Sequence, residues 1–141
     1  MIRILGCIAL LALAVSQSAQ AQAQADHVWA VSELRAHPGQ ETAYGRAIEQ
    51  FERPIFEELV RTGSVVSYTM LLKRAGAMEN GTHLLIVEYA SWEDYINSEQ
   101  VLDDVTRRLF GRPRSELAAA EYFPRRDVIS REIYLALPAG M

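Results

Sequence analysis

The run from Thr82 to Tyr89 constrains this chain more than any other, because it reads as a β-strand that is apolar on both faces. Successive side chains of a strand point to opposite sides. Leu85 and Val87 therefore need cover on one side, and Leu84 and Ile86 on the other. A strand of this kind belongs in the middle of a sheet with a layer on each face. Helices of the same chain can form one layer, and a second copy of the sheet is the simplest candidate for the other. The expectation is a homodimer with sheets packed face to face.

The rest of the chain supplies the matching elements. Val28 to Arg35 alternates as a first strand and stops at His37-Pro38-Gly39. From Gln40 the period changes: Tyr44, Ile48, Phe51, Ile55 and Leu59 recur at helical spacing up to Gly63, with a kink expected at Pro54. Val65 to Leu72 is a second strand, joined to Thr82–Tyr89 through Ala75-Gly76 and Asn80-Gly81 as an antiparallel hairpin. Ser91 with Asp94 three residues on resembles a capping box. The helix it opens carries Trp92, Tyr95, Ile96, Leu102, Val105 and Leu109 towards Gly111. Arg112-Pro113 ends it, Ser115 to Phe123 suggests a short extra helix, and Asp127 to Leu137 alternates as a fourth strand. Strand, helix, strand, strand, helix, strand is the α+β, ferredoxin-like βαββαβ order, with strands 1 and 3 central in a four-stranded antiparallel sheet. Ser130, Arg131 and Glu132 suit strand 4 to an edge.

Residues 1–25 have the pattern of a cleaved signal peptide: Arg3, an apolar run from Ile4 to Val15, and overlapping A-x-A frames ending at Ala21, Ala23 and Ala25. The apolar run is too short to span a bilayer comfortably. Leu5-Gly6-Cys7 resembles a lipid-attachment site, but it precedes most of the apolar run instead of following it. Residues 26–141 are then expected to form one domain in the periplasm or outside the cell. Cys7 is the chain's only cysteine, so that domain would have no disulfide or thiolate chemistry. With 14 basic against 18 acidic residues and no basic block, nucleic acid is a poor partner. No H-x-H, H-E-x-x-H or glycine-rich phosphate loop occurs, and neither a metal nor a cofactor is expected.

Several of these features together resemble the dimeric α+β barrel superfamily. They are Trp29 in the first strand, Pro38-Gly39 before a long helix carrying Tyr44, Gly63 after it, and Glu88-Tyr89 running into Ser91-Trp92-Glu93-Asp94. The resemblance covers nearly all of residues 26–141. It implies a range of functions, from cofactor-independent mono-oxygenases and muconolactone isomerase-like proteins to haem-handling enzymes and members without assigned activity. No histidine here matches a proximal haem ligand.

Candidate site residues follow from type and strand position. His83, whose ordinary pKa lies near neutrality, and Glu88, a carboxylate on the central strand, are the candidate bases. Trp29, Tyr68, His83 and Tyr89 are candidate ligand contacts. Glu33 and Arg131 are expected to face outward. Glu52, Glu57 and Glu58 with Arg53 and Arg61 are expected to form a solvated helix face. The leading functional expectation is an exported homodimer that binds a small apolar organic molecule without a cofactor. A cofactor-independent mono-oxygenase or isomerase, and a structural role in the cell envelope, are the alternatives.

Overall fold

The computed structural model describes residues 26–73 and 81–136. The expected signal peptide and the Ala75-Gly76 part of the hairpin turn lie outside the described residues.

Four strands form one antiparallel sheet: β1 Val28–Ala36, β2 Ser67–Leu72, β3 His83–Tyr89 and β4 Arg126–Leu135, in the spatial order β2-β3-β1-β4. The two strands with apolar side chains on both faces take the centre, as expected. Their register sets Ala30 opposite Val87 and Ser32 opposite Leu85 on one face, and Val31 opposite Ile86 on the other. The first face is buried under helices, where Val28, Leu34 and Val87 are almost fully shielded. The second face has no helix over it, and Trp29, Val31, Leu84 and Ile86 are half-buried there.

The expected first helix is three segments: α1 Glu41–Ala47, a π-helical turn Ile48–Glu52, and α2 Arg53–Arg61. Pro54 is the cause we assign. It has no N–H to give the carbonyl four residues back, and its ring crowds that carbonyl. The wider π turn absorbs the misfit where a kink was expected. The turn also changes which residues point inward. Tyr44, Ile48, Ile55 and Leu59 are buried as the spacing predicts, but the inner position between them belongs to Glu52, and Phe51 is only half-buried. The expectation of a solvated Glu52 is therefore corrected: the added helical width rotates it into the core.

α3 Trp92–Phe110 begins where expected, with the Ser91 hydroxyl oxygen accepting from the Asp94 N–H at 3.1 Å. It ends at Gly111, whose φ of +70° is a left-handed cap. α4 Arg114–Glu121 follows Pro113. Leu102 and Val105 of α3, Leu117 of α4 and Tyr122 close the core over β1 and β3.

β4 contains a second one-residue irregularity. Glu33 pairs with Ser130 but Leu34 pairs with Val128, so Ile129 is an extra residue in a β-bulge. Arg126 and Val128 lie opposite Ala36 and Leu34 on the helix side. Beyond the bulge the parity reverses, and Arg131 lies opposite the buried Ser32 on that same side. Arg131 was expected at a solvated edge, where it is 54% exposed, and the bulge turns it to the helix side.

Candidate functional site

A cleft of about 300 Å³ opens between the sheet and α3. Its floor is Ala30, Leu85 and Val87, with Phe56 and Leu102 at the back. Polar groups stand at the rim: Ser98 and Glu99 of α3, Tyr89 of β3, Arg114 of α4 and Arg131 of β4. Burial raises the Tyr89 phenol above its ordinary pKa, partly offset by its hydrogen bond with Ser98, so the hydroxyl is neutral at physiological pH. Its ring meets Tyr95 edge-on at 5.6 Å. An apolar floor with a few convergent polar groups is the usual form of a small-molecule site, and the volume is at the low end of the common range of roughly 300–1,000 Å³.

A second hollow of about 340 Å³ shares Glu99, Arg114 and Arg131 with the cleft. It continues past them to Tyr122 and Arg126. Behind its wall lies a buried polar cluster built on Glu52, which is fully shielded from solvent. Arg126 Nη2 donates to Glu52 Oε1 at 3.2 Å, and the guanidinium lies over the rings of Tyr44 and Tyr122 at 5.4 and 5.2 Å. Burial raises the Glu52 pKa above the ordinary carboxylate range, although Arg126 and Arg114 pull the other way. Burial likewise raises both phenols, so each stays protonated. Five buried polar atoms in this cluster have no hydrogen-bond partner among the described residues: Tyr44 Oη, Tyr122 Oη, Glu52 Oε2, Arg114 Nη1 and Arg126 Nε.

The structure separates the residues singled out from the sequence. Tyr89 lines the cleft. Tyr68 is on the same side of the sheet but stacks on Phe56 at 5.2 Å. His83 is buried, with its ring edge-on to Tyr44 at 4.9 Å and its Nδ1 2.8 Å from Thr82 Oγ1. Burial, and secondarily Arg126, lowers its pKa, leaving a neutral imidazole that does not line the cleft. Trp29 and Glu88 are on the opposite, helix-free face, so the four aromatic candidates do not share one pocket. Glu88 accepts from the Ser67 hydroxyl at 2.6 Å and lies 2.7 Å from His27 Nδ1. Burial opposes its ionisation, but these two contacts prevail and hold its pKa below the ordinary value. Among the described residues no group of three possible ligands is arranged to hold a metal ion, and no helix is long and apolar enough to cross a membrane.

Sequence reasoning missed Glu52, Arg114 and Arg126. The available signal was Pro54: a proline two residues after a charged side chain inside a helical pattern marks a place where the helical register can shift.

The chain has a ferredoxin-like α+β fold. Among solved structures it is similar to HapK from Hahella chejuensis, with a TM-score of 0.57 and 10% identity over 81% of this chain and 96% of that one. A conserved protein from Methanosarcina mazei Go1 has a TM-score of 0.53 and 12% identity, over 82% and 98%. A dimeric protein of unknown function and ferredoxin-like fold from Bacteroides fragilis NCTC 9343 has a TM-score of 0.50 and 12% identity, over 77% and 95%. No family model matches the chain, and no curated protein matches it in sequence.

Proposed function

We propose that this protein is an exported homodimer that binds a small organic molecule between its sheet and α3. The observation that carries the binding reading is the cleft, which has an apolar floor of Ala30, Leu85 and Val87 and a rim of polar groups. Dimerisation is supported by the helix-free sheet face, where Val31, Leu84 and Ile86 are only half-buried within one chain. A similarly folded protein is described as dimeric. Export rests on the signal-peptide pattern of residues 1–25.

Native mass spectrometry of the protein taken from the envelope fraction of its own cells tests all three parts. A dimer beginning near Asp26 and carrying extra mass is the expected result. Ala30→Leu, which places a larger side chain on the cleft floor, should lose that extra mass and remain a dimer. A bare wild-type dimer that no small organic compound stabilises thermally would overturn the binding reading. A bare monomer would overturn the dimer as well.

A further inference from the structure

Three guanidiniums from two elements line the hollow that adjoins the cleft: Arg114 from the start of α4, and Arg126 and Arg131 from β4. Arg131 reaches this side only because of the Ile129 bulge. The nearby carboxylates leave this charge incompletely matched. Asp103 is engaged by Arg107 at 2.7 Å and by the backbone N–H of Arg114 at 2.8 Å. Glu99 stands 3.7 Å from Arg131, beyond hydrogen-bond distance. Glu52 accepts one long bond from Arg126. Arg114 has no ion pair among the described residues, and its Nη1 is buried without an acceptor, as is Arg126 Nε. A guanidinium taken out of water needs an acceptor, and its planar fork fits a carboxylate or a similar oxyanion.

On this geometry we propose that the ligand is an amphipathic organic anion. Its apolar body lies on Ala30, Leu85 and Val87, and its oxyanion sits at the junction of the two hollows, held by Arg114 and Arg131 with Arg126 behind them. This rests on the binding reading above and adds the chemical class of the ligand. The shared rim residues place the charged end: Arg114 and Arg131 line both hollows, so one group seated there touches the cleft and the arginine wall together.

The probes are 2-naphthoate and its uncharged isostere 2-naphthamide, titrated calorimetrically into the wild-type protein, Arg114→Gln and Arg131→Gln. Arg131 is 54% exposed at the sheet edge, so its variant keeps the test open if Arg114→Gln does not fold. Naphthoate is expected to bind wild type at least about tenfold more tightly than the amide. Each arginine variant should lower naphthoate affinity roughly ten- to a hundredfold, the size of a lost charge-assisted hydrogen bond, and leave amide affinity nearly unchanged. Equal binding of acid and amide, insensitive to both variants, overturns the anion proposal and leaves the cleft reading standing. Absence of binding by either probe at millimolar concentration overturns the anion proposal, and the mass spectrum then decides the cleft reading separately.

Discussion

Replacing Glu52 by alanine should destabilise the protein far more than replacing Phe51, although the apolar spacing of the helix predicts the reverse. Glu52 is fully buried and supplies the acceptor for the nearly buried Arg126 guanidinium. Breaking such a pair from one side leaves a buried donor and charge without a partner, which costs about 3–5 kcal/mol. Phe51 is half-buried, with one edge contact to Phe110 at 5.4 Å and Arg112 at 5.9 Å from its ring centre. Roughly half of a core Phe→Ala loss, about 2 kcal/mol, is expected for it. Urea unfolding at neutral pH and one fixed protein concentration measures both, because dimer formation would make stability concentration-dependent. A helix without the π turn would centre Phe51 on the inner face and leave Glu52 at its flank, reversing the order, with about 3–5 kcal/mol for Phe51→Ala and less for Glu52→Ala. That pattern would refute the inward rotation of Glu52. The pH dependence is an independent check. With its pKa raised in the fold, Glu52 keeps its proton where the unfolded chain has lost its own, so this group makes stability fall as pH rises above the ordinary carboxylate range. Glu52→Gln should lack that part of the slope.

His83 has the opposite sign. Its pKa is lowered by burial and by Arg126, so on acidification below about pH 6.5 the unfolded chain takes up the proton first and stability falls; His83→Gln should flatten that limb of the denaturation profile. Ile86→Lys places a charge in the middle of the helix-free sheet face and should convert the proposed dimer to monomer in sedimentation, with far-UV dichroism unchanged; a variant that remains dimeric would locate the interface elsewhere. Gly81→Ala combines a φ of +129° with a methyl carbon built 2.5 Å from the Glu33 side chain, and should lose about 1–3 kcal/mol by thermal unfolding.

Regular elements were legible wherever period and punctuation agreed. Ser91 and Gly111 bound α3 as their chemistry requires, and the two-faced apolar pattern placed β3 in the centre. The site was less legible because both of its charged walls arise where a period is interrupted. Glu52 falls among Glu49, Arg53, Glu57 and Glu58, which hides that it is four residues after Ile48 and three before Ile55, at the flank of the apolar stripe; the extra width of one π turn moves it to the centre. Arg131 alternates outward in a regular strand, and one bulged residue reverses it. Tyr89 was legible as a residue of the cleft wall because strand parity survives through β3. Trp29 was grouped with it because strand parity gives the faces of one strand and says nothing about how two strands are aligned.

The Ile129 bulge makes the chemistry of the β4 wall depend on strand register as well as on composition. Deleting Ile129 would straighten β4 and leave Arg131 opposite Ser32, whereas keeping the residue and pairing it regularly with Glu33 would put Ser130 opposite Ser32, exchanging a cation for a small hydroxyl on the helix side. Among chains of this fold, a bulged and a regularly paired last strand of the same sequence would therefore present cleft walls of different charge. A redesign of ligand preference could work through strand register at this point, leaving the cleft floor untouched.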